Sequence, residues 1–486
     1  MRLASSKRLF AARSGSRVVT MVALAGVVGA VAMADVSSAA IPTGVNCQTD
    51  GKINGRGATF QTSAQALFAA GFRDDVCGPV VTADTDAPDT MVAYNYAATG
   101  TSFTGSGQGR LASSCRTDAF AGSDTPYDEA TLALLNGAPG AVGTCPTAAF
   151  TPPFAPNSAP YPNAGDHASA LMSFPVAGSA VTIIAHLPNS VCGGADNNEF
   201  VSALQLTRQN VSDLMGGNIT SWNDPRLTAN NPTLTACNTP VTRVVRVDSS
   251  GTTQIFKNFL KNVDGPRTGA TCDASTTWTT LALNSGNIHW PGETSPPPAG
   301  CSVLARGTGN GNLPLITKVG GTAGAVGYAD LADAVANQGT YSISNVQNAT
   351  ATSFEPPANS RAANCNLGAA ASLPGSTNKD AVGLNAGNNN WALDNSGVNH
   401  GDATNFGSQY PICGLTWGLV YTNLASAAAS STQPNARLSQ DQRRTLYSYE
   451  TYILSSTAQD RLGSAFYTSL PPSWLVKLRA GFQASF

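Results

Sequence analysis

The chain has 486 residues, 42% of them hydrophobic and only 12% charged, and 27 basic side chains against 29 acidic ones leave a formal net charge of −2. That length exceeds what one ordinary hydrophobic core supports, so two lobes or domains are expected. The low charge content and the 48 Gly and 29 Pro argue against a coiled coil, and no basic tract after the N-terminal segment supports a nucleic-acid binder.

Residues 1–40 read as a secretory signal peptide. Arg2, Lys7, Arg8, Arg13 and Arg17 are its basic part, Val18 to Met33 its apolar part, and Ser38-Ala39-Ala40 the small residues before cleavage near Ala40. The apolar stretch is shorter than the roughly 20 residues that span a bilayer. No cysteine stands at the cleavage point; the nearest, Cys47, lacks a preceding Leu. The expectation is a secreted chain, extracellular or in the cell envelope, with no lipid anchor and no membrane span once the signal is removed. Removal takes five bases and one acid, so an anion would need a local site and not a broad positive field.

All ten cysteines follow that segment, and an even number behind a signal peptide reads as up to five disulfides. None of the close pairs that zinc requires occurs, and neither a metal nor a cofactor is expected. Pairing does not follow from sequence; Cys272 with Cys301 is the plainest pair.

Along the chain, Ala64, Leu67, Phe68 and Phe72 have helical spacing within 61–72. Residues 176–187 and 241–247 are β-branched strands, the second followed by a turn and a helix carrying Ile255, Phe256, Phe259 and Leu260. Residues 325–334 read as strand, turn and helix, and 440–462 as a longer helix with Leu446, Tyr449, Ile453 and Leu454 on one face. The alternation predicts an α/β protein with mainly parallel sheets. Segments 139–166, 265–300 and 345–405, rich in Pro, Gly, Ala or Asn, read as surface insertions.

Four stretches place small hydroxyl residues at Gly-rich turns, three of them before helices: Gly57-Ala58-Thr59-Phe60, the GSGQG run at 105–109, Ala121-Gly122-Ser123-Asp124-Thr125-Pro126, and Arg246-Val247-Asp248-Ser249-Ser250-Gly251-Thr252-Thr253. A helix N-terminus offers unpaired N–H groups and the positive end of its dipole, so several such termini aimed at one point make an anion site without net positive charge. Taken singly, each stretch is also explained by ordinary capping.

Together, in order, they resemble the phosphate-binding proteins of bacterial phosphate ABC transporters (the PstS-like family) and, more distantly, the DING-type phosphate binders. GATF at 57–60, GSGQG, AGSDTP at 121–126, FPV at 174–176, NITSWNDPRL at 218–227, RVDSSGTT at 246–253, GAVGYADLADA at 324–334 and YPICGLTWGLVY at 410–421 carry the resemblance. It implies a two-lobed, type II periplasmic-binding-protein fold. Lobe 1 would comprise 41–165 and 406–486, lobe 2 would comprise 166–405, and the ligand would be enclosed between them. It further implies Thr59, Phe60, Ser106, Asp124, Arg246, Ser250, Gly251 and Thr252 as phosphate-binding residues, with Asp248 bracing Arg246. The implied partners are inorganic phosphate and an ABC permease, with the chain a monomer.

Asp124 is the informative member. A carboxylate facing an anion repels it unless the anion brings a hydrogen to donate, which hydrogen phosphate does and sulfate at neutral pH does not. Gln61 stands where the family usually has Pro, which should affect the start of the first helix more than the ligand contact. An extracellular phosphate scavenger without a permease, or a binder retuned to arsenate or a phosphate ester, fits the same residues. A hydrolase is disfavoured. The four histidines, His167, His186, His289 and His400, accompany no G-x-S-x-G, H-E-x-x-H or P-loop. The GTGNG run at 307–311 lacks a following helix pattern and reads as a turn.

Overall fold

The computed structural model describes residues 44–48, 51–77, 92–95, 105–114, 118–125, 171–192, 203–283, 288–367, 404–421, 428–430 and 433–485. The signal peptide, segment 139–166, residues 368–403, His167, Cys115 and Cys145 lie outside them, and His400 with them.

The main sheet contains strands β1 (Ile53–Gly57), β2 (Val92–Asn95), β3 (Phe120–Ser123), β4 (Leu171–His186), β5 (Thr242–Val245), β6 (Val303–Arg306), β7 (Ala325–Asp330) and β8 (Cys413–Tyr421), in the order β2-β1-β3-β8-β4-β7-β5-β6. The pairs β1–β2, β1–β3, β5–β6 and β5–β7 are parallel. The central pairs β3–β8, β8–β4 and β4–β7 are antiparallel, because β8 returns alongside the long crossing strand β4. β4 is buried from Leu171 to Ala185, its mostly apolar run, broken only by Ser173, Ser179 and Thr182, suiting a strand covered on both faces. Its first part pairs with β8 and its second with β7, so one strand joins the two halves of the sheet.

Pro175 lies inside β4 and cannot donate to a ladder. The register slips there, from Thr416↔Ala177 to Trp417↔Pro175, a bulge that skips Val176.

Around the first half are α1 (Thr62–Phe72), α2 (Ser106–Ser114), α6 (Gln440–Ile453) and α7 (Pro472–Ser485); around the second are α3 (Gly251–Asp264), α4 (Asn312–Gly320) and α5 (Leu331–Ala336). In α1, Ala64, Phe68 and Phe72 are buried as their spacing predicts, and Gln65 is buried in place of Leu67. The Phe72 ring stands edge-on to Tyr449 and Tyr452 of α6 at 5.6 and 5.7 Å, which fastens the C-terminal helices to α1.

Segment 265–300 is not the surface insertion expected from its Pro content. Trp278 and Trp290 are fully buried. Trp290 lies 5.7 Å from Tyr328 and 6.3 Å from Phe256, forming a wedge behind α3. The apolar area of two indoles outweighs the loop-like composition around them. In segment 345–405, the described part reaches the first half of the sheet: Arg361 O accepts from Phe466 N at 2.9 Å, and Ala363 O accepts from Thr468 Oγ1 at 2.8 Å. Disulfides join Cys47–Cys77, Cys192–Cys237, Cys272–Cys301 and Cys365–Cys413, each a pair of sequence neighbours. Among the described residues no helix is long and apolar enough to cross a membrane.

Candidate functional site

Chain segments leaving the carboxyl ends of parallel strands β1, β3 and β5 carry the predicted residues, the usual place for a ligand in an open α/β sheet. Gly57 ends β1 opposite Gly122 of β3, which puts Thr59 and Asp124 two residues beyond paired positions. Gly105, at φ 102°, turns the chain into α2 in a conformation that favours glycine. Its N–H donates to Gly57 O at 3.1 Å. Ser106 then opens α2; its hydroxyl accepts from Asp124 N at 2.9 Å and donates to Asp124 Oδ2 at 3.0 Å. On the other side, Thr416 of β8 donates its hydroxyl to Asp124 Oδ1 at 2.6 Å. Burial pushes the Asp124 carboxyl up to about 7, although the hydrogen bonds from Thr416 and Ser106 and the charge of Arg246 oppose the shift.

From the second half, β5 delivers Arg246, which is 1% exposed. Its Nε donates to Asp248 Oδ1 at 2.7 Å, its Nη2 forms an ion pair with Asp248 Oδ2, and its Nη1 donates to Asn312 Oδ1 at 2.8 Å. Asn312 Nδ2 in turn donates to Asp330 and, at 2.9 Å, to Asp333. Burial alone would lower the Arg246 pKa, but the charge and hydrogen bonds of Asp248, with Tyr328 and Asp330 behind, hold it above its ordinary value. Burial and the neighbouring Asp333 charge push the Asp330 carboxyl well up. The guanidinium is therefore fixed in position and in its charged state.

α3 begins at the same place. Ser250 caps it, accepting from Thr253 N at 3.3 Å. Thr252 is fully buried, and its hydroxyl has no hydrogen-bond partner among the described residues. Gly251 comes so close to the first half that an added Cβ would lie 2.6 Å from Asp124 Oδ2 and closer still to Ser106 Oγ. Two helix N-termini, three small hydroxyl residues, a braced cation and one acid thus meet at one point. Chemically, such a set suits a small oxyanion, and an acid within it would demand a hydrogen on that anion.

Of the residues expected from sequence, Ser106, Asp124 and Gly251 are in mutual contact, with Ser250 and Thr252 on the same turn and Asp248 bracing Arg246 as expected. Thr59 is buried, and its methyl would touch a Cβ on Gly311 at 3.7 Å. Phe60 puts its ring in the core, and its carbonyl accepts from Tyr467 OH at 2.6 Å. Asn312, Thr416 and Asp330 were not anticipated. The GTGNG run corrects the expectation for 307–311: α4 follows it directly, and Asn312 at its start holds Arg246. The available signal was Leu315, Ile316 and Val319 at helical spacing behind Pro314. NITSWNDPRL, another motif of the resemblance, is scaffold. Trp222 Nε1 donates to Gly324 O at 2.9 Å, and Asn218 Oδ1 accepts from Thr271 and Cys272 N–H groups. His186 faces Val319 O at 3.2 Å and His289 pairs with Glu293 at 2.8 Å.

The sequence profile of the PBP superfamily domain matches residues 48–382. The chain belongs to the PBP superfamily. Among curated relatives, the phosphate-binding protein PstS of Xylella fastidiosa strain Temecula1 is 31% identical over 160 residues, which are 33% of this chain and 37% of that protein. Phosphate-binding protein PstS2 of Mycobacterium bovis is 38% identical over 74 residues, 15% of this chain and 19% of its own. The chain thus aligns with well under half the length of these relatives. Solved structures share the fold of this PBP member over nearly its whole length. The phosphate-binding protein from Stenotrophomonas maltophilia superposes with a TM-score of 0.51 at 17% identity, covering 88% of this chain and 93% of that one. The crystal structure of a DING protein gives 0.52 at 18% identity, covering 88% and 94%.

Proposed function

We propose that this PBP-superfamily protein captures inorganic phosphate between two lobes, 41–165 with 406–486 and 166–405, for uptake through an ABC-type permease after export. The relatives named as phosphate-binding proteins support the ligand class. One observation carries the choice of phosphate: a buried carboxylate with no cation bonded to it among the described residues, Asp124, lies against the N-terminus of α3 among hydroxyls and helix-end N–H groups. Thr252 and Arg246 supply side-chain donors, and Thr59, Phe60, Ser106, Ser250 and Gly251 add donors from the turns and helix starts, Ser106 through its main-chain N–H because its hydroxyl hydrogen goes to Asp124. Asp124 accepts the hydrogen that phosphate retains near neutral pH. Sulfate meets the same carboxylate as a like charge. The function is binding, not catalysis. β4 and β8, which run between the halves, are the hinge about which the lobes close.

Calorimetric titration of the chain lacking residues 1–40 tests this. Phosphate and arsenate, both protonated, release heat at pH 8 with saturation at one equivalent, and sulfate does not. No heat with phosphate removes the reading. Loss of phosphate uptake in cells lacking the protein distinguishes permease coupling from extracellular scavenging, which uses the same site.

A further inference from the structure

Asp124 is the last member of a hydrogen-bond series that starts on α6. Tyr449 OH donates to Gln65 Oε1 at 2.6 Å, Gln65 Nε2 to Gln61 Oε1 at 2.9 Å, Gln61 Nε2 to Thr416 Oγ1 at 2.8 Å, and Thr416 Oγ1 to Asp124 Oδ1 at 2.6 Å. All five residues are at most 5% exposed, so bulk water does not substitute for any link.

The direction of the series is determined at one point. Gln61 Nε2 also donates to Trp417 O at 3.2 Å, and a main-chain carbonyl can only accept. The NH2 group of Gln61 must therefore face β8 and its oxygen must face Gln65, which orients the second amide in turn. Thr416, having accepted from Gln61, has a single hydrogen left, and it points to Asp124. Ser106 behaves alike on the other oxygen: it accepts from Asp124 N and donates to Oδ2. Both carboxylate oxygens thus receive donors from the protein, and these bonds favour the charged form.

We propose that Gln61 and Thr416 are specificity-determining positioning residues, which orient a donor at Asp124 Oδ1 so that the carboxylate acts as an acceptor and admits only an oxyanion carrying a hydrogen. The inference rests on the phosphate reading for its ligand but not for its effect on Asp124. Gln61 is the N-cap residue of α1, yet its side chain makes no capping bond. The departure from the usual Pro, expected to matter for the helix start, reaches the site instead. The other charged or titratable groups acting on Asp124 are Arg246, which favours its ionised form, and Asp330 and Tyr467, which interact with its charge. Asp248 Oδ2 approaches the Gly105 turn, 3.1 Å from where a Cβ on Gly105 would stand. With Asp124 poised at about 7, loss of one donor changes its charge state in the neutral range.

The decisive experiment follows the Asp124 carboxyl by 13C NMR across pH 5–9 in the ligand-free protein, for wild type, Thr416→Val, Thr416→Ser and Gln61→Leu. The titration midpoint rises by about one pH unit in Thr416→Val, about the worth of one hydrogen bond to a charged group. It rises less in Gln61→Leu and returns in Thr416→Ser, which keeps the hydroxyl. Midpoints unchanged in both Thr416→Val and Gln61→Leu overturn the proposal; if Thr416→Val does not fold, Gln61→Leu alone decides. In parallel, the phosphate-to-sulfate affinity ratio at pH 8 falls about tenfold in Thr416→Val. Should wild type bind neither anion, the phosphate reading fails while the NMR titration still judges Gln61 and Thr416.

Discussion

On the α2 side of the site a carboxylate, Asp124, is set among hydroxyls; on the α3 side a guanidinium, Arg246, is clamped by Asp248 and Asn312 with Asp330 behind. The two charges are held by opposite means. Arg246 is kept above its ordinary pKa by an adjacent acid, so it stays cationic at every working pH, and in the proposed function it contributes affinity. Among the described residues Asp124 has no cation bonded to it, and burial pushes its carboxyl up to about 7, so its charge, and with it the proposed selectivity, depends on pH. A site can thus divide its work: one half attracts the anion and the other checks its protonation.

The largest effect should come from the clamped side. Arg246→Ala weakens phosphate binding by about 2–5 kcal/mol, the range for removing one member of a buried charge contact, and strands Asp248 as well. A loss below tenfold by calorimetry would break the division. Gly251→Ala comes next, because its Cβ meets Asp124 and Ser106 where the halves touch; overpacking of this kind costs about 1–3 kcal/mol. Calorimetry should show weaker phosphate binding, and urea unfolding of the ligand-free protein should show a loss of stability of that size, because the clash is present without ligand.

Asp124→Asn sharpens the contrast through pH. In wild type the preference for phosphate over sulfate rises between pH 6 and 8, as the carboxyl ionises through about 7; in the variant it is low and flat, read from competition at each pH. The same group has the opposite sign for stability. Its folded pKa lies above the ordinary 3.8, so its contribution is present below about pH 4 and lost as pH rises through 7. Urea midpoints of the ligand-free protein therefore fall less between pH 5 and 8 in Asp124→Asn than in wild type. The smallest effect is Thr252→Val, about 0.5–1.5 kcal/mol of phosphate affinity with no loss of stability, since among the described residues the hydroxyl has no partner to forfeit.

How far each residue was legible depends on where its partners lie. Arg246, Asp248 and Ser250 could be read because their bracket and cap close within eight consecutive residues. Thr416 could not: its partner Asp124 is 292 positions away, and they meet because Trp417 pairs with Ser123 in antiparallel strands. Asn312 was hidden behind a Gly-rich run taken for a turn. Trp278 and Trp290 were assigned to a surface loop because Pro and Gly dominate their surroundings, whereas the area of their rings places them under α3.

By itself the sequence determined the α/β class, the helix termini that offer donors, and the presence of one acid among them, since capping, strand pattern and the Arg–Asp bracket are made by residues close along the chain. Only the tertiary structure decided the charge state of that acid and the orientation of its donors. A buried carboxylate responds to whichever groups the folded strands bring to it, and here they come from α1, α2, β5 and β8 at once.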